Sequence, residues 1–115
     1  MIAKAINKFY IENNKLRNTQ DFDKINQDDR DGCLYEVLRI IQKQPLFVED
    51  HFERLLKSAK LVNKEIILDD ISQFKANIDL LIEKNEIQNG NIRIDVICNF
   101  PQKILCYQVE AIYPS

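Results

Sequence analysis

The sequence predicts an α+β fold, a two-layer sandwich in which a mainly antiparallel sheet is covered by two helices. Three observations lead there. Alternation and turn signals of strand type occupy both ends of the chain, and two stretches of helical periodicity occupy its middle. The resulting order, ββ-ββ-α-α-β-β, separates helices from strands as α+β proteins do. The 115 residues fit one domain, residues 1–115, with enough chain to bury a core.

The elements follow in order. Lys4 to Leu16 alternates weakly around Ile6, Phe9 and Ile11 and reaches Asn13-Asn14, a pair that tolerates the positive φ angles of a tight turn. An opening strand or hairpin is expected. Thr19 to Gly32 is polar, with Asp21, Asp23, Asp28, Asp29 and Asp31, and reads as a solvated connection rather than an acidic metal site. Leu34 to Ile41 is β-prone and bounded by Gly32 and the polar Gln42-Lys43-Gln44, after which Pro45-Leu46-Phe47-Val48 returns as the second arm of a hairpin. Alternation places Tyr35, Val37, Arg39 and Ile41 on one face and Leu34, Glu36, Leu38 and Ile40 on the other. Each face mixes polar and apolar groups, and polar groups that become covered require partners.

Glu49 to Asn63 predicts a helix, with two carboxylates at its positive end and Phe52, Leu55, Leu56, Ala59 and Val62 at helical spacing. A second helix is expected from Asp69 or Asp70, as N-cap, to about Lys84, with Ile71, Phe74, Ile78, Leu81 and Ile82 on one side. After Asn89-Gly90, the residues Ile92, Ile94, Val96 and Cys98 alternate with Arg93, Asp95 and Ile97, which is a strand. Asn99 to Lys103 is a short connection, and Ile104 to Tyr113 completes an antiparallel hairpin.

Composition narrows the function. A hydrophobic fraction of 45% and a charged fraction of 30% are those of a globular protein. Sixteen basic and eighteen acidic side chains give a net charge of −2, which lacks the electrostatic footprint of a nucleic-acid or anionic-membrane binder. Small molecules or proteins are the expected partners. No apolar run approaches the ~20 residues that span a bilayer, and Asn7, Lys8 and Glu12 interrupt any secretory signal. Cys33, Cys98 and Cys106 are odd in number and lack CxxC spacing, so they read as small buried hydrophobes in a cytoplasmic protein.

No complete catalytic constellation is present. His51 is the sole histidine, Gly32 and Gly90 are the sole glycines, and no zinc-ligand spacing occurs. The best local arrangement is His51-Phe52-Glu53-Arg54, where an i, i+3 pair puts His51 and Arg54 on neighbouring helix surface. Arg54 then either donates a forked pair of hydrogen bonds to an anion or pairs with Asp50, four residues earlier on the same face.

Tyr35-Glu36-Val37-Leu38-Arg39-Ile40, followed by Pro45-Leu46-Phe47-Val48 and the H-x-x-R-L-x-x-S-A helix opening from His51 to Ala59, resembles the amino-terminal signature of class IV aminotransferases. That family includes branched-chain and D-amino-acid aminotransferases and aminodeoxychorismate lyase. Leu81 to Asn85 and Asn89 to Ile94 extend the likeness, which spans roughly residues 28–98. The resemblance implies that Arg54 contacts the phosphate of pyridoxal phosphate and that His51 supports it from one turn away. It implies that Tyr35 lines the substrate pocket and helps hold a substrate carboxylate, with a pocket role for Arg39. An amino acid or keto acid substrate and a homodimer are implied as well. The Schiff-base lysine of such enzymes lies in a second domain, and no lysine here occupies its context, so this chain is expected to be an amino-terminal half that is inactive alone. The short loop after Cys98 leaves substrate specificity open. The alternative is a non-catalytic, stand-alone binding or scaffold module of the same fold.

Overall fold

The computed structural model describes residues 2–24, 34–61, 70–97 and 102–110. Two asparagines with φ of 50° and 71°, Asn13 and Asn14, turn strand β1 (Phe9–Glu12) into β2 (Lys15–Asn18). Positive φ at both central residues is the two-residue hairpin turn whose twist matches its strands. Gln42 and Lys43, at 48° and 66°, do the same between β3 (Leu34–Ile41) and the short β4 (Gln44–Pro45). Helix α1 (Val48–Leu61) follows directly. Helix α2 (Ile71–Lys84) begins where Asp70 accepts a hydrogen bond from the amide of Gln73 at 3.0 Å, a side-chain N-cap. Strands β5 (Gly90–Ile97) and β6 (Lys103–Val109) form the closing hairpin.

Among the described residues these strands make one antiparallel sheet in the order β2-β1-β6-β5-β3-β4. Helix α1 packs over β3, and α2 packs over β1 and β6. The layer between them is apolar: Leu38, Ile40, Ile92, Ile94, Val96 and Cys106 from the sheet meet Phe52, Leu55, Phe74, Ile78 and Leu81 from the helices. Both helices therefore cover one face, as the sequence implied.

Part of the opposite face is covered too. Phe22 is buried against Tyr10 and Tyr107, with ring centroids 5.0 Å and 4.7 Å away. It stands in a 3-10 helix (Thr19–Lys24) inside the stretch expected to be a solvated connection. One aromatic side chain gains more from covering two tyrosines than its polar neighbours lose by following it. The expectations for Cys33, Cys98, Asp28, Asp29, Asp31 and the ends at Asn63 and Tyr113 lie outside the described residues.

Candidate functional site

Alternation along β3 decides the site. Glu36 shares its face with the core residues Leu38 and Ile40, which places a carboxylate beneath α1. The Glu36 side chain is only 11% exposed, and a covered carboxylate requires partners. His51 Nδ1 meets its Oε1 at 2.7 Å, and Arg54 Nη1 stands 3.6 Å from the same oxygen. Because an ionised carboxylate only accepts, His51 carries its proton on Nδ1.

The i, i+3 spacing of His51 and Arg54 thus converges on one strand residue. Arg54 pairs with Glu36 and, among the described residues, not with Asp50. Asp50 is exposed, where water competes for its charge, whereas the carboxylate of Glu36 is shielded and attracts the cation more strongly. Arg54 remains 64% exposed, so most of its guanidinium stays open to an incoming anion.

Tyr35 and Arg39 point to the other face. Both are exposed, with Tyr35 58% exposed. Four residues of strand separate them by about 13 Å, with Val37 between. The register sets Tyr35 opposite Asp95, Val37 opposite Arg93 and Arg39 opposite Asn91. Arg93 reaches diagonally and lays its guanidinium 4.0 Å from the centroid of the Tyr35 ring, a cation–π contact.

The same guanidinium forks onto Asp95, Nε to Oδ2 at 2.9 Å and Nη2 to Oδ1 at 3.1 Å. Asp95 is 2% exposed and also accepts from the Tyr107 hydroxyl, which in turn accepts from the amide of Ala3 at 3.0 Å. Burial by itself lowers the pKa of Arg93, yet hydrogen bonding and attraction from Asp95 raise it above its ordinary value. Burial, reinforced by Asp95, pushes the Tyr107 phenol well above its ordinary range. This network was not singled out from the sequence; its visible trace was Arg93 and Asp95 at i, i+2 on one strand.

Beside it lies a cavity of about 220 Å³ walled by Ala3, Ile6, Val37 and Val109, with Arg93 and Asn91 among its lining. Strand β4 pairs with β3 only at Ile40 and Ile41, so among the described residues β3 is flanked from Leu34 to Arg39 by β5 on one side and by no strand on the other. Among the described residues no cluster of three His, Cys, Asp or Glu side chains is placed to hold a metal ion. No described helix is long and apolar enough to cross a membrane.

Residues 33–103 match the family model described as amino-transferase class IV. The fold is similar to that of the branched-chain amino acid aminotransferase from Escherichia coli, with a TM-score of 0.78 and 14% identity over 92% of this chain and 42% of that one. It is similar to the branched-chain amino acid aminotransferase from Thermobaculum terrenum in its PLP form, with a TM-score of 0.70 and 13% identity over 96% and 42%. A protein assigned as a 4-amino-4-deoxychorismate lyase from Legionella pneumophila matches with a TM-score of 0.62 and 19% identity over 75% and 37%. The chain spans about two fifths of the length of these structures. Comparison with curated protein sequences gave no significant match.

Proposed function

Because this chain belongs to the class IV aminotransferase family, we propose that it is the amino-terminal half of a pyridoxal-phosphate-dependent aminotransferase or lyase acting on an amino acid or keto acid. It contributes the cofactor phosphate contact and part of the substrate pocket. The Glu36–His51–Arg54 cluster carries the reading. A planar guanidinium with open N–H groups suits a dianionic phosphate, and the donor set here fits that group. Glu36 and His51 anchor one edge of Arg54, which limits the conformational freedom lost when an anion arrives.

Pyridoxal phosphate, when bound, supplies the electron sink for breaking a bond at the substrate α-carbon. Arg54 holds its phosphate, and His51 keeps Glu36 aligned behind Arg54. Tyr35 and Glu36 are sequence neighbours on the stretch of β3 that β4 does not reach, so a ligand laid across that edge comes near both faces. The exposed Tyr35 phenol lines the substrate side, with Arg39 two side chains further along the same face. The lysine that anchors the cofactor belongs to the part of the enzyme beyond this domain, so the half is inactive alone, and the complete enzyme works as a homodimer.

The test is Arg54→Ala in the complete protein, followed by titration with pyridoxal phosphate. A charge-assisted hydrogen bond contributes about 1.5–3 kcal/mol, so affinity should fall by roughly ten- to a hundredfold. Unchanged affinity would sink the assignment.

A further inference from the structure

Glu36 gives one oxygen to two helix residues, and the two do not bring the same charge. His51 Nδ1 meets Oε1 at 2.7 Å, and Arg54 Nη1 stands 3.6 Å from it. Arg54 is always a cation, whereas an imidazole gains or loses its proton between pH 5 and 8. With His51 neutral, Glu36 and Arg54 cancel and the trio carries no net charge. The side chains of Glu36 and His51 are 11% and 15% exposed, so water does little to screen either. Nδ1 of His51 is taken by Glu36, and Nε2 has no partner among the described residues. No partnerless side-chain nitrogen or oxygen is buried among those residues, so Nε2 reaches water and is open to a proton. Around the ring, β3 supplies Glu36, α1 supplies Arg54 and the exposed Asp50, and α2 meets α1 through Phe74 against Phe52. Arg54 and the positive end of α1 oppose a charge on His51, and the two carboxylates favour it.

We infer that His51 takes up a proton from solvent when Arg54 engages the phosphate of the cofactor, so that cofactor binding is coupled to the protonation of this one imidazole. The inference rests on the reading of Arg54 as the phosphate contact. A phosphate monoester carries a charge of about −1.5 to −2 at neutral pH. It draws on the same guanidinium that balances Glu36, and a covered carboxylate whose cation is shared is costly. An imidazolium restores the balance without rearrangement. Its Nδ1 proton already lies on Oε1, and the added proton, delivered by water, sits on Nε2. The trio then presents a net positive charge to an anionic ligand. His51 touches no substrate here; it acts through Glu36 and Arg54, as a positioning residue whose charge changes on binding.

The experiment titrates pyridoxal phosphate and pyridoxal into the complete protein and its His51→Asn variant at pH 8 and pH 6. Asparagine keeps an uncharged donor near the Nδ1 position and takes up no proton. Ionisation of the ligand itself cancels when the affinities of the two proteins are compared as a ratio. For pyridoxal phosphate that ratio should shift toward the wild type by roughly three- to tenfold between pH 8 and pH 6, within the tenfold per pH unit that one proton allows. For pyridoxal it should stay level. A level ratio for pyridoxal phosphate, or an equal shift for both ligands, overturns the inference. Should His51→Asn not fold, the wild type alone suffices. Calorimetry at pH 7 in two buffers of different ionisation enthalpy counts protons, and pyridoxal phosphate should take up more of them than pyridoxal. A difference of zero or of the opposite sign counts against the coupling. Arg54→Ala, measured alongside, separates the two claims. If it leaves affinity unchanged, the phosphate reading fails and takes the inference with it; if it weakens binding while the His51 ratio stays level, only the coupling fails.

Discussion

His51 and Glu36 share a 2.7 Å contact that joins the first turn of helix α1 to strand β3, fifteen residues apart in the chain. Arg54 closes on the same carboxylate oxygen from the next turn. One strand residue thereby orients two helix residues, so Glu36→Gln should affect both. A glutamine keeps the shape but loses the charge, and the expected cost is about 1–3 kcal/mol of stability from a weakened charged hydrogen bond. Cofactor affinity should fall by several-fold, since Arg54 loses its anchor. Chemical denaturation and cofactor titration read the two effects, and a change in neither contradicts the arrangement.

Asn85 fastens α2 to the sheet. It is buried, its side-chain oxygen accepts from the Phe9 amide at 2.9 Å, and its side-chain nitrogen donates to the Phe9 carbonyl at 3.0 Å. Asn85→Ala strips partners from two backbone groups, so a loss of about 2–4 kcal/mol is expected from two unmet hydrogen-bonding groups. The denaturation midpoint should drop accordingly, and a loss below about 0.5 kcal/mol, the size of an ordinary surface change, would show that water replaces the side chain.

Phe47 holds φ at 58° with its side chain 68% exposed. A bulky residue in the left-handed region is strained, while asparagine tolerates it. Since little packing is lost, Phe47→Asn should stabilise the protein by about 1 kcal/mol. Thermal unfolding checks this, and a lower melting temperature would mean that the ring contributes more than its exposure implies.

Three covered groups tie stability to alkaline pH. Burial raises the Cys106 thiol from 9.0 to about 12, and burial with neighbouring Glu12 raises the Tyr10 phenol from 10.0 to about 12. Tyr107 moves in the same direction, by burial and Asp95. Each group keeps its proton in the fold and releases it more readily once unfolded. Their contribution is thus complete below pH 9.0 and is lost as pH rises toward about 12. Melting temperatures measured from pH 7 upward should begin to fall above roughly pH 9. A flat profile to pH 11 would contradict the burial of these side chains.

Local pattern revealed much of this. The periodicities around Phe52 and Phe74, the Asp70 cap and the paired asparagines at the first hairpin each follow from chemistry confined to a few residues. His51 and Arg54 were legible for the same reason, since helical spacing makes neighbours of i and i+3. Glu36 was assigned to a face, but its partner was not, because nothing local states which turn of α1 will lie above it. The stack of Arg93 on Tyr35 depends on strand register across β3 and β5, a long-range property. Phe22 escaped notice because a lone aromatic in a polar run has no periodicity to announce it.

The central claim is that Arg54 recognises a phosphate, and comparing two ligands tests it most directly. Pyridoxal phosphate and pyridoxal, which lacks the phosphate, are titrated into the complete protein and its Arg54→Ala variant. The substitution is expected to lower affinity for pyridoxal phosphate by roughly ten- to a hundredfold, the worth of a charge-assisted hydrogen bond, and to leave that for pyridoxal nearly unchanged. An equal fall for both ligands, or for neither, would contradict it.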